Sequence, residues 1–169
     1  TDGATIRDLN IVESTFHNKN TSSNTATGAL AGYINNTTIE NCHVLNVNVS
    51  ADYDNVGGLI GYVNGTSSNI TKSSATATVR SMHDYGGGLI GRAEKCMTLS
   101  YSHATGNTTI NGPYVGGLNR YANNVKIHFC STWGSALGNR NAGGTNGKTK
   151  GYSNGASMSV RNCSPAGAP

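Results

Sequence analysis

The sequence predicts an all-β protein, a parallel β-solenoid (β-helix) of about five to six coils, from three observations. A glycine phrase returns five times, at 28–33, 57–62, 87–92, 116–121 and 143–148. Its first glycines (Gly28, Gly57, Gly87, Gly116 and Gly143) stand 29, 30, 29 and 27 residues apart. A second phrase fills the gaps, an aliphatic residue followed three positions later by a small or apolar one. It reads Ile6 to Leu9, Ile39 to Cys42, Ile70 to Ser73, Leu99 to Ser102, Ile127 to Cys130 and Val160 to Cys163. Helix finds no support, because 23 glycines are scattered along the chain and no long stretch has apolar residues at helical spacing. A repeat of about 29 residues describes small stacked units, so function is expected along repeated faces and at the ends.

Both phrases read as short strands, two or three per coil. They are rich in Val, Ile, Thr and Tyr and are separated by Asn, Gly and Ser. Each strand would pair in parallel with its equivalent about 4.8 Å away in the next coil. Within one glycine phrase, Gly57, Leu59 and Gly61 would share a face of a single strand, since side chains alternate. The column Leu30, Leu59, Leu89 and Leu118 is expected to point inward. Gly57, Gly61, Gly87 and Gly91 suit a narrow coil in which the backbone bends or approaches the opposite wall. Arg120 replaces one of these glycines, which predicts a bulge, and Thr145 replaces the last Leu, which predicts looser packing. Asn35, Asn64 and Asn123 recur at one turn position suited to a left-handed backbone. Residues 1–169 read as a single repeat domain. The first residues already follow the pattern, so it is read as a segment of a longer chain.

The composition, 36% hydrophobic and 12% charged, suits a thin core shared between coils better than a disordered tail. No run approaches the roughly 20 apolar residues of a membrane span. The cysteines lack metal-ligand spacing, and neither a metal nor another cofactor is expected. Cys42, Cys130 and Cys163 share one repeat position and read as small core residues. Cys130 and Cys163 would lie on adjacent coils with Cα atoms about 5 Å apart, so a disulfide is the alternative to stacked thiols.

The residues that could carry chemistry are acids, histidines and threonines. Asp52 and Asp54 flank Tyr53, and Asp84 falls at the comparable point one coil later. They offer a calcium site or a glycosidase pair, but the favoured reading is solvated turn residues. His43 and His103 occupy the same repeat position two coils apart with Ser74 between them, and no acid is seen to orient either ring. Thr76, Thr78, Thr105, Thr108 and Thr109 suggest an ice-binding array, which Leu45 and Trp133 interrupt. No catalytic residue is assigned.

Two features remain. The position after each glycine phrase holds Tyr33, Tyr62, Arg92, Tyr121 and Lys148. With the Leu column inside, these form an outward ladder in which Arg92 would lie between Tyr62 and Tyr121. Such a strip suits sugar or peptide binding, or simply stacks to support coil pairing. The second feature is charge order. Residues 1–94 hold all eight acids and carry net −3, whereas residues 95–169 hold seven bases and no acid. The basic C-terminal half suits an anionic polymer such as a cell-surface glycan, and the polarity suits homotypic end-to-end association. The basic residues follow no nucleic-acid-binding motif, so no nucleic-acid partner is expected.

The glycine phrases resemble the GLUG motif, a glycine–Leu–aliphatic–glycine repeat of bacterial secreted and surface proteins. That motif occurs in adhesins, in filamentous-haemagglutinin-like proteins and beside the catalytic domains of immunoglobulin A-cleaving metallopeptidases. The resemblance is clearest at 57–61 and 87–91, weaker at 28–32 and 116–118, and faint at 143–147. It implies an extracellular β-solenoid. No HExxH zinc helix is present, so peptidase activity would belong to another domain.

The sequence therefore predicts a non-enzymatic extracellular solenoid acting as a surface stalk or adhesive module in contact with glycans. One alternative is a filament subunit stacking through open β edges. The other is a glycan-cleaving β-helix using Asp52, Asp54 or Asp84.

Overall fold

Four parallel ladders run through the described residues; a turn takes one strand from the first, third and fourth and one or two from the second. The computed structural model describes residues 1–23, 25–95, 97–112, 114–123, 125–138, 141–143, 146–149, 159–161 and 164–165. Side chains of Tyr114, of residues 120–123 and of those beyond 138 are outside the description. Every described strand pairing is parallel, and the register steps by one turn each time, as in Ile6↔Ile39, Ile39↔Ile70, Ile70↔Leu99 and Leu99↔Ile127. The described residues make about four turns, slightly fewer than the five to six expected. Rungs from Lys126 onward are short and only partly described.

The first ladder stacks Thr5–Arg7, Thr38–Glu40, Asn69–Thr71, Thr98–Ser100, Lys126–His128 and Ser159–Arg161. It is the aliphatic phrase, and its central residues Ile39, Ile70, Leu99 and Ile127 are fully buried. At the end of each strand the chain turns on a residue with a left-handed backbone: Asp8, Asn41, Lys72, Tyr101 and Phe129, all with φ between 50° and 56°. That conformation costs a non-glycine residue about 1–2 kcal/mol. It persists because the corner N–H still reaches the next turn, at 3.1 Å for Asp8 to Glu40 O, Asn41 to Thr71 O, Lys72 to Ser100 O and Tyr101 to His128 O. The corner then admits one small inward residue, Cys42, Ser73, Ser102 or Cys130. This is the physical content of the three-residue spacing. The Cys42 thiol donates to the Glu40 carbonyl at 3.4 Å and the Cys130 thiol to that of His128 at 3.2 Å. Cys163, the proposed disulfide partner of Cys130, lies outside the described residues.

The second ladder is the longest, with His43–Ala51 paired to Ser74–Ser81. Inward Val44, Val47 and Val49 face core, and outward His43, Leu45 and Asn48 face solvent or its edge. A register shift falls between Thr76 and Ala77, because Asn46 is an extra residue in its turn and takes a left-handed backbone.

The glycine phrase forms a corner between two strands, which corrects the reading of it as one. Val56–Gly57 belongs to the third ladder and Ile60–Asn64 to the fourth, with Gly58 and Leu59 bending between them. Alternation therefore breaks at the bend, and Leu59 and Ile60 are both fully buried. A Cβ on Gly58 would lie 2.2 Å from the Gly88 carbonyl and 3.0 Å from the Ala75 Cβ, so the glycine corner presses on its neighbouring turn and the opposite wall. Leu59, Leu89 and Leu118 are fully buried as expected; Leu30 is only half-buried. The predicted bulge at Arg120 is absent, since Ile90↔Asn119 and Arg92↔Tyr121 keep one register on either side. Thr145 lies outside the described residues. Asn35 and Asn64 do pair in register, but the left-handed residue is the next one, Asn36 or Gly65. Among the described residues no helix is long and apolar enough to cross a membrane.

Candidate functional site

The fourth ladder sets Tyr33 beside Tyr62, Tyr62 beside Arg92, Arg92 beside Tyr121 and Tyr121 beside Lys148 in backbone register. Gly61 and Val63 are buried, so alternation turns Tyr62 outward; the same logic holds for Tyr33 and Arg92. The side chains of Tyr121 and Lys148 are outside the described residues. The Tyr33 and Tyr62 rings meet edge to face, with centroids 5.3 Å apart at 76°. The Arg92 guanidinium lies 5.0 Å from the Tyr62 ring and 5.2 Å from the Tyr85 ring. Repeat counting does not pair Tyr85 with Arg92; Tyr85 precedes the third glycine phrase and comes from the same turn.

Glu94 organises the strip. Its Oε2 accepts from the Tyr62 hydroxyl at 2.8 Å, and its Oε1 accepts from Arg92 Nε at 3.0 Å and from Arg92 Nη2. Burial and this hydrogen bond push the Tyr62 phenol up to about 12. Burial pulls the Arg92 guanidinium down, but the hydrogen bond and charge of Glu94 outweigh it and raise its pKa. Asn64 Nδ2 donates to the Tyr33 hydroxyl at 3.2 Å. The described strip is thus a row of rings around a neutralised ion pair. Glu94 was legible in principle, since a residue two beyond Arg92 in a strand shares its face.

A second cluster sits at the corner between the second and third ladders. Asp54 is buried, which corrects its reading as a solvated turn residue. Its Oδ1 accepts from His83 Nδ1 at 2.9 Å and from the Asp84 backbone N–H at 2.9 Å. The His83 ring stacks on Tyr53 with centroids 4.4 Å apart and planes at 10°. Asp52 instead lies 3.7 Å from His17 on the exposed surface. Repeat counting sets Asp84 beside Asp54 but does not reveal that the preceding His83 reaches back to Asp54.

The His43–Ser74–His103 column is present in register. His43 Nδ1 lies 2.8 Å from Ser74 Oγ and its Nε2 3.1 Å from Asn41 Oδ1, so an amide, not an acid, orients the ring. Burial, with a contribution from His43, lowers the His103 pKa. Thr76 and Thr105 hydrogen-bond at 2.8 Å, but Leu45 and Trp133 flank them in the same outward column.

Fold and repeated corner define a parallel β-solenoid built on a glycine–leucine turn. Residues 52–80 match the family model of the GLUG motif, and that stretch is a GLUG repeat. The chain is also similar to halomucin of Haloquadratum walsbyi (strain DSM 16790 / HBSQ001). The two are 37% identical over 105 residues, covering 54% of this chain and 1% of halomucin. No solved structure matches the chain.

Proposed function

We infer that this solenoid is an extracellular surface module without enzymatic activity, and that its Tyr33–Tyr62–Arg92 strip contacts glycans. The observation carrying this reading is the register of outward rings on a rigid ladder, tied by Glu94 and Asn64. Aromatic faces with few polar groups at their edges suit the apolar faces and hydroxyls of sugars. Because Glu94 neutralises Arg92, the preferred ligand is an uncharged glycan. The GLUG repeat and the similarity to halomucin support the surface location. The binding of Asp54 to His83 and to a backbone N–H supports a structural role for the one buried acid of the supposed glycosidase pair.

A glycan array comparing wild type with Tyr33→Ala and Tyr62→Ala tests the strip. Both variants are expected to lose binding at least about tenfold, which is about 1.4 kcal/mol. Unchanged binding would remove the strip from the function. Reducing-sugar release from any polysaccharide, abolished by Asp54→Ala, would overturn the non-enzymatic reading.

A further inference from the structure

Asp54, His83 and Asp84 come from two consecutive turns, with Ser81 opposite Ala51 and Gly86 opposite Val56. That register sets Asp84 directly beside Asp54 and His83 beside Tyr53. Two carboxylates one rung apart repel unless a hydrogen-bond donor or a cation lies between them. His83 Nδ1 stands there, 2.9 Å from Asp54 Oδ1 and 3.8 Å from Asp84 Oδ2. One ligand atom from each of the three residues lies within 4.8 Å of the others.

We propose that Asp54, His83 and Asp84 bind a divalent transition-metal cation of the zinc or cobalt class. A tetrahedral ion with bonds of about 2.1 Å holds its ligand atoms roughly 3.4 Å apart. Reaching that geometry requires the 2.9 Å separation to open and the 3.8 Å separation to close by a few tenths of an ångström each, and the two carboxylate oxygens, which lie within 4.8 Å of each other, to settle at the same spacing by rotation of the partly exposed Asp84 side chain. One imidazole with two carboxylates suits zinc or cobalt, whereas calcium takes six to eight oxygens. In the hydrogen bond to Asp54 the imidazole carries its proton on Nδ1. Metal binding at Nδ1 moves that proton to Nε2, so a neutral ring remains neutral.

The surroundings hold the site in shape. Tyr53 stacks on the ring, the His83 N–H donates to Ser81 Oγ at 3.2 Å, and Ser81 Oγ donates to the Tyr53 carbonyl at 2.7 Å. Asp54 is fixed by the Asp84 N–H, while the His83 and Asp84 side chains remain 48% and 30% exposed. A cation therefore has access, and its fourth position faces solvent, where water or a ligand oxygen completes the shell.

Titration of the metal-free chain with Co²⁺, followed by visible absorption, and with Zn²⁺, followed by calorimetry, tests the site. One equivalent should bind, with a tetrahedral cobalt spectrum. His83→Gln and Asp84→Asn should each weaken binding at least tenfold, whereas His103→Gln, on another face, should leave it unchanged. Circular dichroism verifies that each variant is folded. Failure of wild type to bind either ion at millimolar concentration overturns the proposal, as does equal binding by His83→Gln and Asp84→Asn. The glycan array is read without added metal, so either result stands apart from the other.

Discussion

The Ser73 hydroxyl accepts the backbone N–H of Cys42 from the preceding turn at 3.2 Å and donates to the Thr71 carbonyl at 2.9 Å. Ser102 repeats the arrangement, accepting from Ser73 N–H at 3.2 Å and donating to the Ser100 carbonyl at 2.8 Å. A side chain thus supplies the inter-turn bond at the corner where the chain leaves one ladder for the next. Ser73→Ala would leave a buried N–H without its acceptor, a loss of about 1–3 kcal/mol. Ser73→Cys, which places a thiol where Cys42 and Cys130 already have one, should lose less. The urea midpoint of each variant measures the difference, and an unchanged midpoint for Ser73→Ala would show that the corner has another acceptor.

Glycines at the corners are unequal. A Cβ on Gly57 would stand 2.0 Å from the Ile60 carbonyl oxygen and 2.7 Å from the Gly91 nitrogen, both backbone atoms. Gly3, with φ +63°, has nothing within 4 Å of its Cβ position. Gly57→Ala is expected to cost about 3 kcal/mol or more through backbone displacement. Gly3→Ala should cost about 1–2 kcal/mol from its left-handed backbone alone. Thermal unfolding of the pair decides this, and equal losses would contradict the close approach at Gly57.

Asn119 occupies the inward column of Ile60 and Ile90 and is fully buried. Neither its Nδ2 nor its Oδ1 has a hydrogen-bond partner among the described residues. Asn119→Ile continues the column and removes two desolvated polar atoms, so a gain of about 1–3 kcal/mol is expected. A destabilised variant would show that the amide is satisfied in solution.

Partial burial, and to a smaller extent His43, lowers the His103 pKa below the ordinary imidazole value of 6.5. The unfolded chain therefore binds more protons than the folded one in the window between the folded value and 6.5. Stability is complete above that window and falls as the pH drops through it. Solvent screening keeps the effect small, because the ring is largely exposed. His103→Asn should show a smaller fall in Tm than wild type on moving from pH 8 to pH 5. An identical fall would place the acid sensitivity elsewhere.

Repetition made much of this legible from sequence. Ile39, Ile70, Leu99 and Ile127 are equivalent by spacing alone, as are Leu59, Leu89 and Leu118, and both columns stack in register in the core. The outward order Tyr33, Tyr62, Arg92 follows from the same counting. Counting works because in a parallel solenoid the partner of any residue is its equivalent one turn away.

Closure of each turn obeys no such count. The bend at Gly58 and Leu59, which buries Leu59 and Ile60 together, breaks the alternation read from a straight strand. The contact of Arg92 with Tyr85 joins different repeat positions of one turn, and the pairing of His83 with Asp54 joins different positions of adjacent turns. Column logic links like with like, so it passes over such pairs. The sequence by itself determined the period, the parallel stacking and which residues recur on each face. Only the tertiary structure decided where each turn bends and which unlike residues meet there, because those contacts depend on the path by which the backbone closes.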